Sequence, residues 1–180
     1  MRIESCVAMT ISDKAGNLLA TSNPPDTRIF DKMVIRNAFL AGMELEGISF
    51  DGSDLSGSDF SGSDLYGANL CDSNFESCKF ANADLRSSFI RNVSFRDSDL
   101  RFARFSLDEM GGELGFHEVN FTGANLERAD FTGATYDSMT IFPEGFDPTE
   151  RGMTREGEAD PYERDSSGKV IKVSKGQERE

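Results

Sequence analysis

Covalent chemistry needs acids, bases and nucleophiles that converge, and this chain offers few. His117 is the only histidine. It has no partner, which excludes the usual Ser-His-Asp arrangement and multi-histidine metal centres built from this chain alone. Cys6, Cys71 and Cys78 show no CxxC spacing, so neither a disulfide framework nor a zinc site is indicated. The carboxylates are numerous, yet the D-x-D-x-D-G calcium loop with its terminal Glu is absent. The glycines form no GxxxxGK or GxGxxG phosphate loop between a strand and a helix. No catalytic, cofactor-binding or metal-ligating residue is assigned, and the expected function is non-enzymatic.

Most of the carboxylates have another reason to be where they are. Every fifth residue from Phe30 to Phe105 is apolar, through Ile35, Leu40, Leu45, Phe50, Leu55, Phe60, Leu65, Leu70, Phe75, Phe80, Leu85, Ile90, Phe95 and Leu100. Two residues before each of these the side chain is usually small (Ser53, Ser58, Ala68, Cys78), which makes Cys78 a core thiol and leaves Cys71 pointing outward. One residue before, Asp or Asn dominates (Asp54, Asp59, Asp64, Asn69, Asp84, Asp99), where a short acceptor can bond backbone groups at a corner. Neither a helix nor a flat strand places every fifth residue on one face. A chain that turns a corner after each short extended segment does. Four segments close a coil of about twenty residues, and stacked coils form a right-handed, four-sided β-solenoid. Glycines two residues after the central position, such as Gly52 and Gly57, suit corners with positive φ.

Segments such as Ser63-Asp64-Leu65-Tyr66-Gly67, Ala68-Asn69-Leu70-Cys71-Asp72 and Ala124-Asn125-Leu126-Glu127-Arg128 resemble the A(D/N)LXX unit of the pentapeptide-repeat family. The resemblance implies an all-β fold, a right-handed quadrilateral β-helix. The chain then divides into an N-terminal hairpin cap over residues 1–29, a solenoid over 30–146 and a tail over 147–180. The hairpin is expected from two apolar runs, Cys6 to Ser12 and Leu18 to Thr21, around Asp13-Lys14-Ala15-Gly16-Asn17. The phase breaks at 106–115. Phe105 and Phe121 are one residue more than three repeats apart, so either a bulge absorbs one residue or a few loop outward. Phe121, Leu126, Phe131, Tyr136 and Ile141 then continue the pattern, and Ile141 to Pro148 reads as a cap over the last coil. Beyond Gly152 the composition is charged or small, and residues 152–180 are expected to be mostly disordered.

The net charge of −13 argues against a basic surface for nucleic acid or anionic membrane. With no spanning apolar run and no signal peptide, the expected address is the cytoplasm. Charge is banded: residues 44–84 carry nine acids and one base, 86–104 two acids and five bases, and 108–144 eight acids and one base. The expected partner-binding surface is therefore the basic band with its outward aromatics and the neighbouring irregular segment: Arg86, Phe89, Arg91, Arg96, Arg101, Phe102, Asp108 and Glu109. Its expected role is a rigid protein-interaction scaffold for an unidentified partner. The resemblance implies an alternative, because bacterial members of the family include proteins that imitate DNA and bind type II topoisomerases such as gyrase, and Glu46, Asp51 and Glu76 would carry that mimicry. A toxin-neutralising factor would use the same surfaces. No C-terminal dimerisation helix is readable, which leaves the oligomeric state open.

Overall fold

The computed structural model describes residues 9–22, 27–106, 114–156, 162–164 and 170–172. Its core is the five-residue column seen in the sequence: all sixteen apolar residues from Phe30 to Phe105 are at most 2% exposed. Single-residue bridges pair each residue before a central position with the residue twenty further on, in parallel, as in Asn69 with Phe89 and Asp64 with Asp84. Each central N–H donates to a carbonyl of the next coil, for example Leu40 N to Asp59 O at 2.8 Å. A coil is therefore four pentapeptides, one per side. Side 1 is centred on Phe30, Phe50, Leu70, Ile90, Phe116 and Tyr136. Side 2 is centred on Ile35, Leu55, Phe75, Phe95, Phe121 and Phe142, side 3 on Leu40, Phe60, Phe80, Leu100 and Leu126, and side 4 on Leu45, Leu65, Leu85, Phe105 and Phe131.

Each corner is a turn in which the N–H three residues after the central position donates back to it, as in Ser53 N to Phe50 O at 3.0 Å. The residue two after the centre takes φ near +60°, for instance Gly57 at 74° and Phe102 at 60°. Glycine adopts that region freely, whereas a residue with a Cβ is strained there. Inside, the stacking repeats with the coil: Phe60 on Phe80 at 4.8 Å between centroids and 1° between planes, Phe105 on Phe131 at 4.9 Å and 3°. These separations match the spacing of hydrogen-bonded strands, so ring stacking and the backbone ladder share one period.

The ends and the break refine the sequence reading. The hairpin forms, with β1 (Thr10–Ser12) antiparallel to β2 (Leu18–Thr21). It docks on the first coil through Phe39 N to Ser12 O and buries Ile11. Across the break, bridge separations grow from twenty to twenty-six, as in Arg91 with His117 and Arg104 with Asp130. The insertion is thus six residues, a whole repeat plus one, which excludes the one-residue bulge and leaves the longer insertion of the two alternatives. Residues 107–113 lie outside the described ones. Ile141 is a correction, because it is 51% exposed rather than central. Asp137 accepts the N–H groups of Glu118, Met139 and Thr140 in a turn that takes up one extra residue. Phe142 takes the central place instead and stacks on Phe121 at 5.7 Å. As expected of a cap, Phe146 packs edge-on to Phe131.

The tail begins later than its composition suggested. After β3 (Gly115–Phe116) and β4 (Thr135–Tyr136), β5 (Thr154–Arg155) adds a third parallel strand. Met153 is 2% exposed and Gly133 N bonds Gly152 O, so residues 152–156 belong to the rod. The apolar Met and the backbone ladder outweigh the charged neighbours. Further on, β6 (Tyr162–Arg164) pairs with β7 (Val170–Lys172) antiparallel. Met153→Ala should lower the unfolding free energy by roughly 2–4 kcal/mol, and Phe80→Ala by about 3–5 kcal/mol, in denaturant titrations. An unchanged midpoint for Met153→Ala would return residue 153 to the tail.

Candidate functional site

The acids before the central positions are held by the corners themselves. Asp59, Asp64, Asp84 and Asp99 each accept the backbone N–H two residues on, at 2.9–3.2 Å. Two of these acids also bind arginines of the basic band. Arg86 is bidentate on Asp84, at 2.9 Å from Nε to Oδ1 and 2.6 Å from Nη2 to Oδ2, and Arg104 reaches the same carboxylate at 3.2 Å. Arg101 grips Asp99 in the same way, at 2.8 and 2.7 Å. A guanidinium held in a fork by its own chain has fewer donors to offer a partner. Arg91 and Arg96 have no ion pair among the described residues.

Residues five apart lie on different sides, so the expected surface is divided. Arg86 belongs to side 4, Phe89 and Arg91 to side 1, Arg96 to side 2, and Arg101 and Phe102 to side 3, where Arg128 lies 5.6 Å over the Phe102 ring. Asp108 and Glu109 lie outside the described residues. The three acids of the DNA-mimic reading are also separated: Glu46 on side 4, Asp51 on side 1 and Glu76 on side 2, the last accepting from Ser94 Oγ at 3.1 Å.

Side 1 brings Arg91, one of these two arginines, beside an exposed ring. Phe89 is 63% exposed. With Arg91, Cys71, Asn69 and Asp51 it borders a depression of about 350 Å³. A second depression of about 360 Å³ continues from Cys71, Phe89 and Arg91 to His117, Thr135 and Glu156. His117 Nδ1 lies 3.3 Å from Glu156 Oε1. Gly115 makes room for that imidazole, because a Cβ there would come within 2.6 Å of His117 Nε2. His117 could not be assigned to this side from sequence, since the length of the insertion before it was hidden; Cys71, twenty residues before Arg91, could have been. No group of three His, Cys, Asp or Glu side chains suited to a metal ion occurs among the described residues.

The family model described as pentapeptide repeats (8 copies) matches residues 40–76, 78–106 and 116–135, all within the coils. The chain is a pentapeptide-repeat protein. Among solved structures it is similar to HetL from the cyanobacterium Nostoc sp. strain PCC 7120, a pentapeptide repeat protein involved in heterocyst differentiation regulation. Identity there is 19% over 67% of this chain and 53% of that one, with a TM-score of 0.46. It is also similar to trypsin-treated QnrB1, a plasmid-mediated fluoroquinolone resistance protein, at 18% identity over 72% and 65% of the two chains and a TM-score of 0.44. The match thus spans about half to two thirds of those structures. No curated protein matches. No helix among the described residues is long and apolar enough to cross a membrane.

Within this pentapeptide-repeat rod the corner carboxyls are tuned for stability. Burial opposes ionisation of Asp84, but the hydrogen bonds from Arg86 and the charges of Arg86 and Arg104 overcome it and hold the carboxyl below its ordinary value. The hydrogen bond from Arg101 does the same for Asp99 against burial. Burial pushes the Cys78 thiol up to about 12, so it is inert where it packs. A carboxyl whose folded pKa is depressed stabilises above its unfolded value near 3.9 and loses that contribution as pH falls through the folded value. The unfolding free energy should therefore be level from neutrality to about pH 4 and decline below it. In urea titrations across pH, Asp84→Asn with Asp99→Asn should flatten that acid limb; an unaltered slope would show that these pairs add nothing.

Proposed function

We propose that this protein is a non-catalytic interaction scaffold whose docking surface is side 1 around Phe89 and Arg91. The observation that carries the reading is the coincidence, on one side, of a largely exposed aromatic ring and a guanidinium with no ion pair among the described residues. Arg86, Arg101 and Arg104 are already bound to Asp84 and Asp99. Arginine and aromatic residues are the anchors that interfaces favour, and adjoining depressions of about 350 and 360 Å³ give a partner side chain somewhere to insert. The rod supplies stiffness, since each outward residue is fixed by a corner that hydrogen bonds to the coils on either side.

The topoisomerase reading draws on charge. Residues 30–144 carry 20 acids and 9 bases, or −11, along a rod of about 27 Å. Duplex DNA of that length carries about sixteen charges. Density alone is thus within a factor of two. Distribution favours the scaffold, because Glu46, Asp51 and Glu76 point from three different sides and cannot line up as one backbone-like row.

Phe89→Ser with Arg91→Ser should abolish retention of the partner on immobilised rod while leaving the melting temperature within about 1 °C, both side chains being at the surface. Topoisomerase subunits are scored in the same captures. Retention that survives this pair of changes but falls on charge reversal of Glu46, Asp51 and Glu76 would replace the scaffold reading with mimicry.

A further inference from the structure

Along side 1 the residues that follow the central positions read Asp31, Asp51, Cys71, Arg91, His117 and Asp137, one per coil. Asp51 and Arg91, an acid and a base with no ion pair among the described residues, lie one coil to either side of Cys71, at matching distances of about 5 Å. That trio is complementary to itself when reversed. We propose that the occupant of side 1 is a second copy of this chain, docked antiparallel about a two-fold axis that lies in the interface and crosses the rod at Cys71. This rests on side 1 being the docking surface and names its partner.

A two-fold axis in that position turns each rod end for end but leaves each lateral column over itself. Asp51 then faces the partner's Arg91, a contact that occurs twice, and Asp31 comes over the partner's His117, whose Nδ1 already lies 3.3 Å from Glu156 Oε1. Cys71, half-buried and free, faces the partner's Cys71. The column before the central positions carries no charge there: Ile29, Ser49, Asn69, Phe89 and Gly115. It sets Phe89 over the partner's Ser49, and Ile29 against the depression beside the partner's Gly115. Neither Asp51 nor Arg91 has an ion pair among the described residues that the contact would have to break. At the rim, Asp72 meets its own copy, one like-charge contact, while Lys32 meets Glu118 of opposite sign.

The other sides fail the same test. On side 4, Glu46 and Arg86 are spaced evenly about Tyr66, but Arg86 is held by Asp84, and reversal about that coil sets Asp64 against Asp64 and Glu44 against Asp84. On side 2, Arg36 and Glu76 flank Ser56, but Arg36 is held by Asp54, which would face its own copy. Side 3 carries Ala41, Ser61, Ala81, Arg101 and Glu127 and has no such symmetry. The matched strip on side 1 covers five coils, about 24 Å by 10 Å, or roughly 250 Å² per copy. A standard interface buries about 800 Å² per partner, so the pairing is weak and calls for detection by crosslinking.

The test uses the full chain with Cys6→Ser, which leaves Cys71 as the accessible thiol because Cys78 is buried. A short bis-maleimide is added at high protein concentration. The expected product is a Cys71-to-Cys71 dimer, absent in Cys71→Ser. Asp51→Arg alone and Arg91→Asp alone should each slow crosslinking about tenfold by placing like charges opposite one another. Together they should restore it to near the starting rate, with melting temperatures unchanged throughout. No Cys71-dependent dimer, or no rescue in the double reversal, overturns the second copy as occupant. If partner capture is still lost in Phe89→Ser with Arg91→Ser, side 1 serves a different protein and the scaffold reading stands; if capture also persists, both fall.

Discussion

Everything in this molecule follows from one requirement: the N–H of each central residue must reach a carbonyl of the next coil, so every coil must close after a fixed length. Closing on twenty residues with four corners obliges each corner to place one residue near φ +60° and to satisfy its own backbone groups. Where an Asp or Asn precedes the centre, as at Asp54, Asp59 and Asn69, it meets part of that need by accepting the N–H two residues on. The central side chains then have no freedom, because they converge on an axis shared by all four sides. Rings stack at the ladder spacing since they have nowhere else to go.

That requirement explains which parts of the fold were legible. The inward residues from Phe30 to Phe105 could be read without exception because each coil repeats the same steric problem. Phase could not distinguish one surplus residue from six, since an extra whole pentapeptide leaves a five-residue periodicity untouched. Only the ladder, with Arg91 opposite His117, counts the insertion. The slip at Ile141 was hidden for a related reason: Asp137 gathers three N–H groups into a turn of its own, and two adjacent apolar residues, Ile141 and Phe142, compete for the central place. Met153 was missed because one apolar residue among charges looks like tail until an open coil is there to receive it.

The site was less legible, and the reason is geometric. Proximity in a solenoid follows a separation of twenty, whereas the eye collects residues five apart. Arg86, Arg91, Arg96 and Arg101 ring one coil, one to a side, as their places after four successive centres imply. Asp51, Cys71 and Arg91 look unrelated in sequence and share one strip. Charge was misleading in a similar way, for the basic band is largely turned inward on its own acids: Asp84 takes two guanidinium groups and Asp99 takes one.

Corner occupancy shows how strongly the ladder dominates local preference. Phe102, Glu118 and Arg128 hold φ of 60°, 58° and 56°, where a side chain costs roughly 1–2 kcal/mol relative to glycine. None of them escapes, because the corner N–H is committed to the neighbouring coil, as Phe102 N is to Glu127 O at 3.1 Å. The strain is confined to the outer rim, so it leaves the buried stacks intact. Part of it is offset where Arg128 covers the Phe102 ring. In the early coils only Lys32 and Asn37, both at φ 57°, carry this strain before glycine takes the corners from Gly42 to Gly67. The outward residues of the later coils are therefore held by the closure of the coil and not by their own conformational preference, which is the condition a rigid display surface requires.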